Sequence, residues 1–371
     1  MNAAMAANLR RPDLRSLGVL TSGGDCAGLN AALRGIVQAA ARRGLEVWGI
    51  RNGLSGLLAQ PPEAERLNPA DFDSILLRRG GTILGTTNRG DPFAFPDNAG
   101  GLIDRSGEAV AAWHALGLDA LIAIGGDGSL RLLQRLAGQG GIPLVAIPKT
   151  IDNDVDLTEL SIGHASAVEV AILALDHLQP TAASHGRIMV LEVMGRDAGH
   201  IALAAAIAGG ADVALIPEIP HDLNLVAKHL LRLKAEGRSF ALVVVSEAVR
   251  DEAGAAVTGA SGGGGYGGVG HSIARGLAAL TGWESRVTIL GHLQRGGPPG
   301  ARDRLMAQIF GVHAVELAVA GQFDRMVAWS GRRVVSVPLS EAVANSKTVD
   351  PAGPLVATAR ALGIVFGDEP P

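Results

Sequence analysis

Residues 148–154, PKTIDND, place two carboxylates, a hydroxyl and an ammonium within seven positions. The apolar run that precedes them, 141–147, is typical of a buried strand. Parallel strands deliver the residues that follow them to the carboxyl edge of a sheet, where open α/β folds bind ligands. A carboxylate at that edge can accept a proton from a substrate hydroxyl, and a second can hold a metal ion. The alternative is a capped turn, because Thr, Asp and Asn all favour turns.

Two glycine-rich turns upstream have the sequence context of phosphate-binding loops. In each, an apolar run leads into glycines and then into a helical stretch: LGVLTSGGDCAGLN at 17–30 and ALIAIGGDGS at 120–129. Glycine lets the backbone approach a phosphate, and a helix start supplies N–H donors. Neither turn matches the P-loop pattern or a clean GxGxxG, and tight strand-to-helix packing is the alternative for either turn alone. Asp127 stands where a phosphate-bound Mg²⁺ requires an oxygen ligand.

Basic residues gather near glycines in the second half of the chain. Arg187 precedes an apolar run that leads into 194–196, Met-Gly-Arg, and Arg286, His292 and Arg295 lie within ten positions of one another. Arginine forks match phosphate oxygens, and a nearby histidine adds a donor. A single arginine is more often a solvated surface charge, but the set as a whole predicts phosphate binding.

Alternating strands and helices must position these side chains. The predicted strands are 17–21, 47–50, 120–124, 144–147, 188–192, 213–216, 241–246 and 287–290. The predicted helices are 31–43, 129–137, 164–178, 199–208, 223–236 and 271–281. Most strands are continuous apolar runs, as expected when both faces of a parallel sheet are covered, so the pattern predicts an α/β protein with mostly parallel sheets. The glycine-rich stretch 253–270 is predicted to be a mobile surface loop.

Composition narrows the class of protein. The 371 residues carry a net charge of −4, which offers no chain-wide basic field for nucleic acid. The single cysteine, Cys26, excludes an internal disulfide and a cysteine-based zinc site. No apolar run reaches the length of a membrane span, and residues 1–16 lack the apolar core of a signal peptide. We therefore expect a cytoplasmic protein with a flexible N-terminal tail at 1–16 and neither nucleic-acid nor membrane partners.

The motifs together resemble the signatures of the phosphofructokinase family. Segments that begin at Leu17, Gly125, Pro148, Glu192 and Gly291 occur in the family's order and at its spacing, and the resemblance covers nearly the whole chain. It implies two similar Rossmann-like domains with mostly parallel sheets and the active site in the cleft between them. It also implies Mg²⁺-dependent phosphoryl transfer from ATP to the 1-hydroxyl of fructose 6-phosphate by a homo-oligomer, either a dimer or a tetramer.

The resemblance also implies a division of the chain and a role for each matching residue. The implied parts are a phosphoryl-donor domain at 17–163 plus about 296–345, a sugar-phosphate domain at 164–295 and a C-terminal extension at 346–371. The catalytic residues are Asp152 as the base, with Thr150, Asp154 and Arg196. The donor-binding residues are Gly24, Arg89, Gly126, Asp127, Gly128, Ser129 and Lys149, of which Asp127 is the magnesium ligand. The substrate-binding residues are Thr150, Asp152, Arg187, Met194, Gly195, Arg196, Glu247, Arg286, His292 and Arg295, with Arg187 and Arg286 supplied by a neighbouring subunit.

Two positions divide the choice of phosphoryl donor. Lys149 stands where most ATP users of the family have glycine and pyrophosphate users have lysine, whereas Gly128 stands where pyrophosphate users have aspartate. An aspartate at 128 opposes a nucleotide phosphate by charge and bulk, so Gly128 predicts ATP, with pyrophosphate as the alternative. Asn88 replaces the family's usual phosphate-bridging arginine, for which Arg89 is the candidate substitute.

The sequence leaves two further properties undecided: which allosteric effectors bind, and whether other acceptors, such as sedoheptulose 7-phosphate, are used.

Functions other than the phosphorylation of a sugar phosphate have less support in the sequence. A lipid or nucleotide kinase shares the GGDG turn but has no counterpart to the arginines and histidine at 286–295. A non-catalytic sugar-phosphate sensor does not require the intact Asp127, Asp152 and Arg196. A dinucleotide oxidoreductase requires a different glycine spacing and an acidic residue for the ribose.

Overall fold

A computed structural model describes residues 14–88, 90–97, 100–250 and 266–369. The chain forms two compact units. The first contains the described residues up to Gly163 together with Arg295–Ser346, and the second contains His164–Gln294 and the described residues from Lys347 onwards. Arg89, most of the predicted N-terminal tail and residues 253–265 of the predicted glycine-rich loop lie outside the described residues.

The elements alternate as the sequence predicts. The strands in chain order are β1 (Ser16–Ser22), β2 (Glu46–Ile50), β3 (Ala64–Arg66), β4 (Phe95–Pro96), β5 (Leu102–Ile103), β6 (Ala120–Gly125), β7 (Leu144–Thr150), β8 (Ile162–Gly163), β9 (Ile188–Val193), β10 (Val213–Leu215), β11 (Ala241–Ser246), β12 (Ser285–Ile289), β13 (Arg325–Ser330) and β14 (Arg333–Pro338). The helices are α1 (Leu29–Ala41), α2 (Leu54–Leu58), α3 (Ser106–Leu116), α4 (Asp127–Gly140), α5 (His164–His185), α6 (His200–Ala208), α7 (Leu223–Ala235), α8 (Val269–Thr281), α9 (Ala301–Val319), α10 (Leu339–Ala342) and α11 (Pro354–Ala361). Among the described residues, no helix combines the length and the apolar character needed to cross a membrane.

The sheet of the first unit has the strand order β14-β13-β7-β6-β1-β2-β3, with β8 paired to β7. Strands β1, β2, β6, β7 and β13 run parallel to their neighbours in this path, and the edge strands β3 and β14 are antiparallel. Strands β6 and β7 are buried along their whole length, which explains their continuous apolar sequences. Because β7, β6 and β1 are parallel neighbours, both glycine turns and the polar segment after β7 leave the sheet at the same edge.

Helices α1 and α9 pack closely against each other beside this sheet. On α1, a Cβ atom at Gly35 would lie 2.9 Å from the backbone oxygen of Gln308 on α9. On α9, a Cβ atom at Gly311 would lie 2.6 Å from the backbone oxygen of Ala32. The two helices therefore meet backbone to backbone, and any side chain at either glycine would push them apart. This contact fixes α1, which begins directly after the first glycine turn.

The second unit contains a parallel sheet of order β10-β11-β9-β12. Its apolar core lies between this sheet and helices α7 and α8, and includes Val190, Val243 and Leu277. The fold class is thus the predicted one, α/β with mostly parallel sheets in two units. The predicted C-terminal extension, however, belongs to this second unit, because Val365 exchanges backbone hydrogen bonds with the chain around Val213 and extends the edge beside β10.

Candidate active site

The polar segment that follows the apolar strand is more ordered than a simple turn. Strand β7 continues to Thr150, three residues beyond its predicted end, because Lys149 and Thr150 pair with β8. The Thr150 hydroxyl accepts a hydrogen bond from the backbone N–H of Asp152 at 3.1 Å and donates to Asp152 Oδ2 at 3.3 Å. Asp152 is buried. The threonine therefore holds the backbone and the carboxylate of the candidate base at the end of the strand.

Asn153 gives this segment its shape, a role that the sequence analysis did not assign. Its φ is 54°, in the left-handed region that asparagine tolerates better than most residues. Its side-chain oxygen accepts from the backbone N–H and the hydroxyl of Ser161, both at 3.0 Å, and its amide donates to the backbone oxygen of Glu159 at 3.2 Å. These bonds fix the backbone between Asp152 and Asp154, so that each carboxylate has a defined direction.

Lys149 links this strand to the first glycine turn. Its ammonium group is buried and donates to the backbone oxygen of Gly24 at 2.5 Å. Burial lowers the pKa of Lys149, and the nearby Arg295 lowers it further, while Cys26 and Asp152 act in the opposite direction. The lysine thus contributes a structural contact to the turn in addition to its positive charge.

The first glycine turn is packed too tightly for side chains. A Cβ atom at Gly24 would lie 2.7 Å from Arg295 Nη1, and that guanidinium donates to the backbone oxygen of Asp25 at 3.1 Å. The hydroxyl of Thr86 donates to the Gly23 oxygen at 2.7 Å and braces the turn from the other side. Arg295, predicted to contact the sugar, therefore lies against the turn predicted to bind the donor.

Cys26 lies directly after this turn and is fully buried. Its thiol donates to the backbone oxygen of Ile162 at 3.4 Å. Burial raises the pKa of the Cys26 thiol to about 12, although Lys149 nearby acts to lower it. This environment is that of an inert core thiol rather than an activated one.

The second glycine turn presents Asp127 as the first residue of α4. This buried carboxylate accepts from Arg131 Nη2 at 3.0 and 3.2 Å and from the Ser346 hydroxyl at 2.8 Å. The backbone of Ser346 also bridges to Val155, which follows Asp154. Ser346 therefore connects Asp127 to the segment that carries Asp154. No cluster of three or more histidine, cysteine or carboxylate side chains suited to a metal occurs among the described residues.

Gly126, Gly128 and Ser129 complete the second turn. Gly126 is the N-cap of α4, and a Cβ atom there would lie 3.2 Å from the backbone oxygen of Lys149. Gly128 is exposed, and a Cβ atom there would meet no atom within 4 Å. A side chain at 128 would therefore extend into open space, where the family resemblance implies that a nucleotide binds.

The second unit places the other predicted set at the carboxyl ends of its strands. Met194, Gly195 and Arg196 follow β9, Glu247 follows β11, and the exposed His292 lies in the 3₁₀ turn Gly291–Gln294 after β12. Glu247 Oε1 accepts from the backbone N–H of Gly195 at 3.2 Å and from that of Arg196 at 2.9 Å. These bonds hold Arg196 at a φ of 51°, a left-handed conformation that is uncommon for arginine.

Arg187 and Arg286 do not join this set. They lie at the opposite edge of the same sheet, where β9 and β12 begin. Arg187 Nε donates to Glu284 Oε2 at 2.6 Å, and Arg286 also contacts this carboxylate. Hydrogen bonds from the two arginines lower the pKa of Glu284. With about 3.3 Å per residue along β9, these arginines lie roughly 20 Å from the strand ends that carry Arg196 and His292.

Comparisons with known proteins identify the family of the chain. The family model described as "Phosphofructokinase" matches residues 16–318. This chain belongs to the phosphofructokinase family. Two curated relatives, "ATP-dependent 6-phosphofructokinase 1" of Nostoc sp. and the protein of the same name from Synechocystis sp., are each 54% identical. The matches cover 95% and 96% of this chain and 99% of each relative.

Solved phosphofructokinases share the fold. The T-state structure from Pichia pastoris has a TM-score of 0.78 at 31% identity, covering 89% of this chain but only 35% of that longer chain. The pyrophosphate-dependent phosphofructokinase from Nitrosospira multiformis has a TM-score of 0.76 over 91% of this chain and 86% of its own. At 23% identity, the second likeness concerns the fold alone.

Three further residues hold candidate site residues in place and were not predicted from the sequence. Arg131 is four residues after Asp127 on α4, a spacing that signals contact on a helix face. Ser346 carries no such signal, because it lies more than 200 residues from its partner. Gln294 is buried, and its side chain accepts from the backbone N–H of Met194 at 2.7 Å and donates to the Ala167 oxygen at 3.3 Å. It thereby ties the His292 turn to the Met194 turn.

Proposed function

We propose that this chain transfers the γ-phosphoryl group of ATP to the 1-hydroxyl of fructose 6-phosphate, giving fructose 1,6-bisphosphate in glycolysis. The observation that carries the proposal is the buried Asp152, held by Thr150 at the sheet edge where both glycine turns also end. The relatives that share about half of the sequence are named as ATP-dependent enzymes, which favours ATP as the donor.

Phosphoryl transfer requires mainly positioning and neutralisation of charge. Asp152 accepts the proton of the 1-hydroxyl, and its contacts with Thr150 keep the carboxylate directed at the end of β7. The Gly24 amide donates to the transferring phosphates. The turn that presents it is held by Thr86, which binds the Gly23 oxygen of the same peptide group, and by Lys149, which binds the Gly24 oxygen. Arg196 holds the phosphoryl group during transfer, together with Thr150. Donors fixed before the reaction require little rearrangement during it.

Mg²⁺ fits the carboxylates of the first unit. Kinase sites bind Mg²⁺ through one or two carboxylates plus the substrate phosphates, rather than through a complete protein cage. Asp127 and Asp154 are both buried, and Ser346 binds Asp127 while its backbone bridges to Val155, the residue after Asp154, so the two carboxylates supply oxygen ligands of this kind. We propose that Asp127 holds the ion and that Asp154 assists. When bound, Mg²⁺ neutralises charge on the phosphates of the donor.

We propose that the sugar-phosphate site is completed by a second copy of the chain. Met194, Glu247, Arg295 and His292 are proposed to contact the sugar phosphate. Arg187 and Arg286 are proposed to bind its 6-phosphate, yet they lie at the far edge of their own sheet. A separation of roughly 20 Å is too long for a single sugar phosphate. We therefore propose a homo-oligomer in which these two arginines serve the site of a neighbouring subunit. Since ATP and sugar phosphates are metabolites of the cytoplasm, we place the enzyme there.

The test is a comparison of initial rates with ATP and with pyrophosphate, each with fructose 6-phosphate and Mg²⁺. We expect fructose 1,6-bisphosphate to form when ATP and fructose 6-phosphate are both present. We also expect kcat/KM to be higher for ATP than for pyrophosphate. A higher kcat/KM for pyrophosphate would overturn the donor assignment. An enzyme that binds fructose 6-phosphate but makes no bisphosphate from either donor would be a sensor and would overturn the proposal as a whole.

A further inference from the structure

Tyr266 is the only tyrosine of the chain, and it contacts the segment that carries Arg196. Its hydroxyl donates to Asp197 Oδ1 at 2.5 Å. Asp197 follows Arg196 directly, and its other oxygen, Oδ2, lies 3.7 Å from Arg196 Nε. The three side chains thus form a row at the carboxyl end of β9, with the carboxylate in the middle.

The two contacts of Asp197 differ in strength. The contact with Tyr266 is a short hydrogen bond to a carboxylate, whereas 3.7 Å to Arg196 is beyond hydrogen-bond distance. The Arg196 and Asp197 side chains are 60% and 67% exposed, so their attraction is also weakened by water. A carboxylate next to an arginine would normally compete with a phosphoryl group for the same N–H donors. Here the tyrosine hydroxyl directs the carboxylate towards itself.

The backbone of Arg196 is fixed, so only its side chain can turn between Asp197 and a phosphoryl group. Glu247 already fixes the amides of Gly195 and Arg196, and the left-handed φ of Arg196 sets where its side chain starts. The direction of the guanidinium then depends on the charged groups around it, and the carboxylate of Asp197 is the adjacent anion.

We propose that Tyr266 is a positioning residue for phosphoryl transfer, which holds the Asp197 carboxylate away from Arg196 so that the guanidinium can bind the phosphoryl group. This inference rests on the proposed function, in which Arg196 holds that group. The same contact raises the pKa of the Tyr266 hydroxyl, mainly through the hydrogen bond to Asp197 and partial burial, while Arg250 and Arg196 act to lower it.

The first test removes the hydroxyl and then the competing charge. In Tyr266→Phe, Asp197 is free to pair closely with Arg196, and we expect kcat to fall by about threefold to tenfold with KM for fructose 6-phosphate changed less than about twofold. Adding Asp197→Asn to Tyr266→Phe should restore kcat to within about twofold of wild type, because a neutral amide does not neutralise the guanidinium. The matched control is Glu236→Gln in the Tyr266→Phe background, since Glu236 lies 3.8 Å from Arg232 Nε and is 63% exposed. We expect no restoration from this control.

The second test measures the contact between Tyr266 and Asp197 without an activity assay. Because the chain has one tyrosine, its ionisation can be followed by ultraviolet difference absorbance, with Tyr266→Phe as the blank. We expect Tyr266 in the wild-type enzyme to titrate above the ordinary value of about 10 and to return towards it in Asp197→Asn. An ordinary titration in the wild type would overturn the contact, even if the variants fold poorly.

The outcomes separate this inference from the proposed function. A wild-type enzyme that makes no bisphosphate from ATP overturns the proposed function and this inference with it. An active wild type with an unchanged kcat in Tyr266→Phe overturns this inference alone. The same conclusion follows if the double variant is no faster than Tyr266→Phe.

Discussion

Gly128→Asp should convert the open space beside the second glycine turn into a barrier against ATP. Gly128 is exposed near the N-terminus of α4, and a Cβ atom there meets nothing within 4 Å. The fold therefore accepts the side chain. A carboxylate at the N-terminal turn is also favourable for the helix, by about 0.3–1 kcal/mol. A loss of activity in this variant would consequently reflect the donor site rather than unfolding.

The magnitude follows from Coulomb repulsion. The family resemblance places residue 128 near the α-phosphate of ATP. Two unit negative charges about 6 Å apart at an effective dielectric constant of about 20 repel by about 3 kcal/mol. This corresponds to a decrease of about 10²-fold in kcat/KM for ATP. Gly128→Asn separates charge from bulk, and we expect it to lose much less than Gly128→Asp.

Gly138→Asp is the matched control. Gly138 lies on the same helix, is also exposed and also has nothing within 4 Å of a Cβ atom. At 1.5 Å per residue it is about 15 Å further along α4, where a carboxylate no longer opposes the donor. The assay is the initial rate at varied ATP, with thermal melting to verify the fold. If folded Gly128→Asp keeps kcat/KM for ATP within about threefold of wild type, or if Gly138→Asp loses as much, the electrostatic reasoning is refuted.

Four further outcomes are expected. Asp152→Asn should lower kcat by at least about 10²–10⁴-fold with little change in KM for fructose 6-phosphate, and steady-state rates above a tenth of wild type would remove Asp152 as the base. Arg286→Ala should raise KM for fructose 6-phosphate by at least about tenfold, and the wild type should sediment as an oligomer, so an active monomer at assay concentration would contradict the shared site. Iodoacetamide should label Cys26 only after denaturation, whether or not ATP is present, because a pKa of about 12 leaves almost no thiolate at pH 7; mass spectrometry of the native enzyme checks this. Burial lowers the pKa of His200 to about 4. Between about pH 6.5 and 4 the unfolded state therefore binds one more proton than the folded state, so the free energy of unfolding should fall by about 1–2 kcal/mol from pH 7 to 5. Urea titrations at the two pH values check this, and the decrease should be smaller in His200→Gln.

The sequence predicted those parts of the molecule that depend on local pattern. Buried parallel strands have continuous apolar runs, so β1, β6, β7 and β9 could be located to within a few residues. The order of parallel strands then brings their following turns to one edge. The exact end of β7 could not be predicted, because it depends on pairing with β8 a dozen residues later.

Long-range contacts were the part that could not be predicted. Helix α9 was not anticipated, and its close approach to α1 needs Gly35 and Gly311 from opposite ends of the first unit. The partner of Asp127 at Ser346 also comes from a distant part of the chain. The contact of Arg295 with the first glycine turn likewise joins distant segments, and the family resemblance implied only a contact with the sugar. In each case the deciding contact is tertiary, and no local periodicity encodes it.

The burial of Cys26 has a practical consequence for handling the enzyme. Hydrogen peroxide oxidises thiolates, so a sealed thiol that stays protonated should resist conversion to sulfenic acid during storage. It also means that the only cysteine of the chain should not react with thiol reagents while the protein is folded. A single cysteine introduced on the surface would be the one nucleophilic sulfur open to a maleimide dye or a spin label, with no need to replace Cys26 first.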